Sequence, residues 1–273
     1  RGRLFKSLEV LLFAAVAGYA GVLLLVWAFQ ERLLFYPRAV VSPPKAPAGW
    51  RLEDVRIKAA DGTQLAGVLV LPPVDKPPLE IYFGGNAQEV TSFAELAAKS
   101  YGNRALLLVN YRGYGDSGGT PSEKSLVSDG IEVFDWAARR TDIDASRIAI
   151  HGRSLGGGVS VQVAAARAPR CVVLTSPFDS ALAVAQRHYS WLPVAWLIRH
   201  PFDSAARAPG LRMPVLVVMG DADTLIPASH SRHLASLWGS PAEQLVLPGY
   251  GHNDLALDPR YDAAIHAFLD RNL

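Results

Sequence analysis

The hydrophobic pattern divides the chain into two parts. Residues 8–29 are almost continuously apolar and carry one ionisable side chain, Glu9, whereas from residue 51 onwards short apolar runs alternate with amphipathic ones. As an α-helix the first part is about 33 Å long, which matches the hydrocarbon core of a bilayer. We therefore expect a transmembrane anchor at 8–29, a proline-containing linker at 30–50 and a folded domain at 51–273.

Residues 8–29 also allow two other interpretations. Gly18-Tyr19-Ala20 resembles the cleavage site of a signal peptide, and an apolar run of this kind also suits a buried core helix. The aromatic residues at the far end, Trp27 and Tyr36 among them, favour the anchor because such side chains prefer the membrane interface. Basic residues before the run weakly favour a single-pass protein whose domain lies on the non-cytoplasmic side.

The alternating part predicts an α/β fold. Strands are predicted by short apolar and β-branched runs at 51–58, 64–71, 79–83, 105–110, 147–151, 171–175, 214–219 and 244–247. Helices are predicted by amphipathic runs at 90–100, 123–140, 155–167, 229–238 and 259–271. The first two strands follow each other across an Asp61-Gly62 turn. We therefore expect a mostly parallel eight-stranded sheet flanked by helices, with an antiparallel hairpin at one edge.

Composition narrows the function classes. The 27 basic and 25 acidic residues give a net charge of +2 and are scattered along the chain, which argues against a nucleic-acid partner. The single cysteine, Cys171, excludes an intrachain disulfide and a multi-cysteine zinc site. Neither a zinc or calcium ligand spacing nor a dinucleotide-binding fingerprint occurs in a fitting context, so we expect no metal and no cofactor.

A nucleophile motif occurs where a strand run meets a helix run. Gly152-Arg153-Ser154-Leu155-Gly156 matches the pattern Gly-x-Ser-x-Gly. A strand-to-helix turn this tight strains the backbone at the serine, and glycines beside it avoid collisions that a Cβ would make. We predict Ser154 as the nucleophile, at the N-terminus of a helix whose dipole favours negative charge. The alternative is a glycine-rich turn with a capping serine.

A serine nucleophile needs a base and an acid that orients it. His252 lies in a glycine-containing loop between the last predicted strand and the last helix, and we predict it as the base. Two aspartates compete for the acid in the loop after run 214–219. We favour Asp223, which lies further into the loop, and expect Asp221 to bind backbone amides. The order Ser, Asp, His is that of the nucleophile-elbow hydrolases.

Two backbone N–H groups are needed to stabilise an oxyanion. One is expected from Leu155, directly after the nucleophile, and the other from Asn86 in the loop Gly84-Gly85-Asn86 that follows run 79–83. The alternative for that loop is a plain turn. The glycine-rich loop at 111–119 is expected to be structural, held by Arg112 and Asp116.

Together these motifs resemble the α/β-hydrolase superfamily over residues 37–273. They are most similar to its small membrane-anchored ABHD-type group, which includes yeast bud-emergence-like proteins and bacterial counterparts. The resemblance is carried by residues 30–38, 85–87, 110–118, 152–156, 176–178 and 251–254. It implies a triad of Ser154, Asp223 and His252 and oxyanion donors at Asn86 and Leu155. One departure is that relatives carry His-Gly-Asn-Ala-Gly where this chain has Gly84-Gly-Asn-Ala-Gln88, so we expect this loop to be held differently.

The expected function is cleavage of an ester, thioester or similar acyl bond through an acyl-enzyme. A segment at 178–212 contains apolar residues such as Trp191 and Trp196 and is expected to form a short cap over an acyl pocket. This favours a lipid-like or small-molecule acyl substrate over a peptide. The alternatives are a serine peptidase or aminopeptidase-like enzyme and a non-catalytic membrane scaffold. Dehalogenase or epoxide-hydrolase chemistry needs a carboxylate in place of Ser154.

Overall fold

A long apolar helix begins the chain. The computed structural model describes residues 2–100 and 102–273. Helix α1, Gly2–Leu34, contains a candidate membrane span at Phe5–Leu34 with a mean hydropathy of 2.4, and its most apolar window is not buried by the rest of the chain. A signal sequence would meet the same criteria. The helix extends past the predicted anchor because the polar residues that follow residue 29 are good helix formers and continue it.

An eight-stranded sheet forms the centre of the domain, in the order β1-β2-β4-β3-β5-β6-β7-β8. The strands are Arg51–Lys58, Gln64–Leu71, Leu79–Phe83, Ala105–Val109, Ile148–Arg153, Cys171–Thr175, Val215–Gly220 and Glu243–Leu247. The β1–β2 and β2–β4 pairs are antiparallel, and the other neighbouring strands are parallel. The predicted fold class, including the antiparallel hairpin at one edge, is confirmed.

Helices cover both faces of this sheet. They are α2 (Ala94–Ser100), α3 (Glu123–Ala138), α4 (Leu155–Arg167), α5 (Ala181–His188), α6 (Val194–Leu197), α7 (Ala228–Leu237) and α8 (Pro259–Asn272). Alternate strand residues point to opposite faces. In β4, for example, Leu107 joins the core under α3 and α4, whereas Leu106 and Leu108 join the core under α2. In β6, Val173 joins the core under α8. Inner strands such as β4, β6 and β7 are therefore buried on both sides, as their continuous apolar runs indicated, whereas the edge strands β1 and β8 keep exposed residues.

The segment between β6 and β7, residues 176–214, contains α5 and α6 and lies against the C-terminal half of α1. The Tyr19 hydroxyl donates to the carbonyl of Trp191, and Gln30 Nε2 donates to the carbonyl of Leu197 at 2.9 Å. The predicted cap-like segment, 178–212, falls within this region. Its two helices were not predicted, because each is too short to produce a clear hydrophobic period.

Candidate active site

The turn between β5 and α4 holds Ser154 in a strained backbone conformation, with φ +53° and ψ −115°. A residue with a Cβ adopts this region only where the surrounding structure enforces it. The neighbouring glycines show how it is enforced. A Cβ on Gly152 would lie 2.2 Å from Ser160 Oγ, and one on Gly156 would lie 2.0 Å from the carbonyl oxygen of Phe83. Close packing of β3, β5 and α4 therefore requires both glycines.

The structure brings the three residues that the motifs indicated into one hydrogen-bonded line. Ser154 Oγ lies 3.0 Å from His252 Nε2, and His252 Nδ1 lies 2.7 Å from Asp223 Oδ2. The His252 and Asp223 side chains are 9% and 2% exposed. If Nδ1–H donates to the carboxylate, Nε2 is left to accept the serine proton. Ser154 makes no side-chain capping bond to α4, which sets aside the interpretation as a capping serine.

The loop after β7 distinguishes the two competing aspartates. Asp223 Oδ1 accepts hydrogen bonds from the backbone N–H groups of Leu225 and Ile226, at 2.9 and 2.8 Å, so its other oxygen is aimed at the imidazole. Asp221 Oδ1 instead accepts from the N–H of Gly249 at 2.6 Å. Asp221 thus ties this loop to the loop that carries the histidine, and its expected role in binding backbone amides is confirmed.

Arg153, the residue before Ser154, holds the loop that carries His252 from the other side. Its Nη2 donates to the carbonyl of His252 at 3.1 Å and to Asn253 Oδ1 at 2.8 Å. A Cβ on Gly220, at the end of β7, would lie 2.2 Å from the carbonyl of Tyr250, so this loop also packs directly on the sheet. The sequence reasoning missed Arg153, because it occupies a variable position of the motif and its partners are about a hundred residues away.

The loop after β3 is held by Gln88. Gln88 Oε1 accepts from the N–H of Gly85 at 2.8 Å and from the Tyr82 hydroxyl at 3.2 Å. A Cβ on Gly84 would lie 2.6 Å from Val90 Cγ1 and 3.3 Å from Gln88 Oε1. A larger side chain at Gly84 would therefore displace Val90 and crowd Gln88. The two positions that depart from the His-Gly-Asn-Ala-Gly pattern, 84 and 88, are thus close neighbours, and Gln88 supplies the hydrogen bonds that hold this loop.

The Asn86 side chain ties the same loop to the end of α1. Its Nδ2 donates to the carbonyl of Leu34 at 2.6 Å, and its Oδ1 accepts from the N–H of Tyr36 at 3.0 Å and from the Tyr114 hydroxyl at 2.9 Å. Among the described residues, the backbone N–H of Asn86 has no acceptor. Leu155 is the first residue of α4, where a backbone N–H lacks an intrahelical acceptor. Both predicted oxyanion donors thus have unused N–H groups, on backbone segments that pack together at the elbow.

The loop after β4 is held by Arg112. Its buried guanidinium donates to Asp129 at 2.6 and 2.7 Å and to Asp61 at 2.8 Å. The hydrogen bonds to Asp129 and Asp61 raise the pKa of Arg112, and its hydrogen bond lowers the pKa of Asp61. The expectation that Asp116 also holds this loop is wrong. Asp116 is exposed and makes no side-chain hydrogen bond within residues 2–100 and 102–273.

A second line of polar side chains lies buried beside the elbow. His151 Nδ1 lies 2.8 Å from Glu80 Oε1, His151 Nε2 lies 3.1 Å from Thr175 Oγ1, and that oxygen lies 3.1 Å from the Tyr261 hydroxyl. Burial raises the pKa of Tyr261. Because the Thr175 carbonyl accepts from the N–H of Ser154 at 2.9 Å, this line supports the backbone at Ser154.

Within the described ranges, no group of three or more His, Cys, Asp or Glu side chains is arranged to hold a metal ion. His230 and His233 of α7 both contact the same carboxylate, Asp179, through Nδ1 at 2.8 and 2.9 Å. Burial acts to raise the pKa of Asp179, but the hydrogen bonds from His233 and His230 lower it below its ordinary value. These contacts fix α7 to the loop after β6.

The fold and its motif residues define an α/β hydrolase. The sequence profile of the prolyl oligopeptidase family matches residues 105–273, more than half of the chain, and the protein belongs to this family. An uncharacterized protein of Mycobacterium tuberculosis is 36% identical over 91% of this chain and 89% of its own length. The alpha/beta hydrolase domain-containing protein WAV2 of Arabidopsis thaliana is 30% identical over 79% of this chain and 77% of its own length.

Solved structures show the same fold at low sequence identity. An acetyl xylan esterase from a Paenibacillus species superimposes with a TM-score of 0.70 and 20% identity, covering 91% of this chain and 94% of its own. An esterase of Pyrococcus furiosus gives a TM-score of 0.68 and 20% identity, covering 88% and 97%. At this identity the likeness establishes the architecture, and function has to be argued from the site.

Proposed function

We propose that this protein is a membrane-anchored serine hydrolase that cleaves a carboxylic ester or thioester through an acyl-enzyme intermediate. The observation that carries the proposal is the line from Ser154 through His252 to Asp223, with both distances within hydrogen-bond reach. Such a line activates a hydroxyl that is otherwise inert near neutral pH.

In the proposed reaction, Ser154 Oγ attacks the substrate carbonyl carbon while His252 Nε2 takes its proton. Asp223 stabilises the imidazolium that forms. The negative charge moves to the carbonyl oxygen, where the N–H groups of Asn86 and Leu155 are the proposed donors. His252 then protonates the leaving alcohol or thiol, and in the second half-reaction it takes a proton from the water that releases the acid.

An apolar cavity supports the proposal that the acyl group of the substrate is lipid-like. It has a volume of about 400 Å³ and lies between α1 and the segment after β6. Apolar side chains from both elements line it, among them Val26 and Leu33 from α1 and Leu192 and Leu197 from the other side. Since the cavity reaches Tyr36, whose N–H donates to Asn86, an acyl chain within it would end near Asn86, one of the two proposed oxyanion donors.

The membrane anchor in the proposal is α1. Its length and hydropathy suit a bilayer span, and its surface is exposed along the apolar stretch. Exposed aromatic side chains on the neighbouring segment, Tyr189, Trp191 and Trp196, suit the membrane interface, and Trp196 is 90% exposed. In this proposal residues 8–29 lie within the bilayer and residues 51–273 form the hydrolase domain, on the non-cytoplasmic side.

The test is the Ser154→Ala variant in detergent-solubilised full-length protein. We expect turnover of p-nitrophenyl octanoate to fall by a factor on the order of 10⁶, as for loss of a triad serine, and labelling by a fluorophosphonate probe to disappear. Ser146→Ala, at an exposed serine on another part of the surface, is the matched control and should retain both. Labelling that persists in Ser154→Ala would show that the nucleophile is a different residue.

Peptidase activity is the second candidate, because the matching family is that of prolyl oligopeptidase. An acylaminoacyl peptidase of Pyrococcus horikoshii also shares the fold, with a TM-score of 0.67 over 83% of this chain and 42% of its own. Comparing p-nitroanilides of N-acylated amino acids with p-nitrophenyl esters of the same acids separates the two. Hydrolysis of the anilides at rates similar to those of the esters would favour the peptidase.

A further inference from the structure

A second cavity, larger than the apolar one, opens beside His252. Its volume is about 710 Å³. Its lining combines apolar residues such as Phe93 and Leu255 with polar side chains, among them Arg38, Gln88, Arg153 and Asn253, for which we call it the polar cavity. The proposed reaction uses only its edge, where His252 and Asn86 lie. The rest of the cavity is therefore available to another part of the substrate.

Two arginines give this cavity a positive charge. Arg38 follows α1 in the chain, and Arg153 precedes the nucleophile; in the part of the chain that the structure describes, neither forms an ion pair with a carboxylate. Arg153 uses Nη2 to hold the loop that carries His252, and among the described residues its Nε and Nη1 donors have no acceptor. A guanidinium that is fixed on one side and free on the other is suited to binding a carboxylate or phosphate.

The one carboxylate in the lining does not cancel this charge by pairing with either arginine. Glu89 is 2% exposed, and its oxygens accept from Thr91 and Ser92, through backbone and hydroxyl groups, and from Asn110 Nδ2 at 2.7 Å. The carboxylate is therefore turned into the protein. Burial acts to raise the pKa of Glu89, but these hydrogen bonds lower it, so the group stays ionised within its own network.

Side-chain amides add further donors. Gln88 Oε1 accepts from Gly85 and Tyr82, and Asn253 Oδ1 accepts from Arg153. The NH₂ group of each amide has no acceptor among the residues that the structure describes. Both residues line the cavity. Two guanidinium groups and two amide NH₂ groups can donate hydrogen bonds but not accept them, which matches an anion better than a neutral alcohol.

The polar cavity and the apolar cavity are neighbours, and one hydrogen bond lies between them. Tyr36 lines the apolar cavity, Asn86 lines the polar one, and the two residues are joined by the hydrogen bond from the Tyr36 N–H to Asn86 Oδ1. A substrate spanning both would place its ester near Asn86, its chain between α1 and the segment after β6, and its polar end between Arg38 and Arg153.

We propose that the polar cavity is an anion subsite, so that the substrate is an amphiphilic ester whose alcohol part carries a phosphate or carboxylate. This inference rests on the proposed function, because it extends the substrate of the same site. The subsite can be tested without knowing the natural ester, because an alkyl chain that carries an anionic group should compete with a substrate for this site.

The experiment measures inhibition of p-nitrophenyl octanoate hydrolysis by octyl phosphate, with octanol as the uncharged competitor, in full-length protein in a non-ionic detergent. We expect octyl phosphate to inhibit competitively with an inhibition constant about tenfold lower than that of octanol. Arg38→Gln should remove this difference, and Arg38→Lys should keep part of it. Arg56→Gln, at an exposed arginine on β1, is the matched control and should leave the tenfold difference between the two inhibition constants unchanged.

Equal inhibition by octyl phosphate and octanol in the wild type would overturn the subsite, as would an unchanged preference in Arg38→Gln. Inorganic phosphate separates two sources of the anion. If inorganic phosphate inhibits at a concentration similar to that of octyl phosphate, the subsite binds a free anion. If only octyl phosphate inhibits, the subsite binds the anionic head group of an amphiphile. Failure of the proposed function looks different, because then the wild type neither hydrolyses p-nitrophenyl octanoate nor reacts with the fluorophosphonate probe at Ser154.

Discussion

The nucleophile elbow and the contact between α1 and the segment after β6 both join distant parts of the chain, but by different means. At the elbow, β5 and α4 approach so closely that glycine is required at Gly152 and Gly156, and the side chains of His252 and Asp223 are almost fully buried. Along α1, the contacts are mainly exposed polar ones. The Tyr19 hydroxyl reaches Trp191, and Arg199 contacts Glu31 on the protein surface.

This difference indicates how firmly each region holds its geometry. Backbone collisions of about 2 Å cannot be relieved by a rotamer change, so the elbow has one arrangement. Exposed hydrogen bonds and ion pairs contribute little stability each, because water competes for the same groups. The contact along α1 can therefore adjust more easily than the elbow, which holds Ser154 in one position.

The largest effect is expected at the elbow itself. In Gly156→Ala the new Cβ would collide with the carbonyl oxygens of Phe83 and Gly84, at 2.0 and 2.6 Å, and neither can move without shifting β3. We expect a loss of about 3 kcal/mol in the free energy of unfolding or failure to fold, measured by chemical denaturation. Gly210→Ala is the control, because a Cβ there meets nothing within 4 Å. Equal stability of the two variants would mean that the elbow is packed less closely than these distances indicate.

An intermediate effect is expected where the two regions meet, at Asn86. Asn86→Ala removes the bonds to Leu34 and Tyr36 and should loosen the proposed oxyanion donor, lowering kcat about tenfold with little change in KM. Tyr114→Phe removes one hydrogen bond to Asn86 and one from the Tyr36 N–H but leaves the bond from Asn86 to Leu34, so it should cost less. Steady-state kinetics and the rate of fluorophosphonate labelling provide the measurement. A rise in KM at constant kcat would instead place Asn86 in substrate binding.

The smallest effect is expected along α1. Arg199→Gln removes the ion pair with Glu31 and the guanidinium above the Trp27 ring, at 5.1 Å from the ring centre. Because these groups are exposed, we expect less than about 1 kcal/mol in unfolding free energy. Chymotrypsin should cleave faster at Tyr189 and Trp191 once the segment is less firmly held. Arg139→Gln is the control, and identical cleavage rates would show that Arg199 does not hold the segment.

Much of this fold could be predicted from short stretches of sequence. The strand run at 171–175 and the helix run at 155–167 match β6 and α4 residue for residue, because the apolar pattern and the flanking glycines and turns are local. The predicted bounds of the helices were wrong or missing where the hydrophobic pattern was weak. Helix α1 continues through Glu31 and Arg32, which look like linker residues, and α5 and α6 are too short to show a period.

The same division applies to the candidate site. Ser154, Asp223 and His252 each follow a predicted strand in a recognisable motif, so their selection needed no tertiary information, although their catalytic roles stay a prediction. The role of Arg153 was missed because its partners lie in the loop after β8, about a hundred residues away. Gln88 was noted only as a departure from the family pattern, and its hydrogen bonds to Gly85 and Tyr82 are local but belong to no recognisable motif.

By itself, the sequence determined an α/β hydrolase with a strained serine turn and an apolar N-terminal helix, because these features depend on backbone sterics and hydrophobicity between near neighbours. Only the tertiary structure decided what surrounds the serine. Asn86 is bound to the end of α1 by a hydrogen bond to Leu34, 52 residues away, and one cavity is lined mainly by apolar side chains while the other includes Arg38 and Arg153. The physical reason is that hydrogen bonding and charge act between groups that only the folded chain brings within a few ångströms.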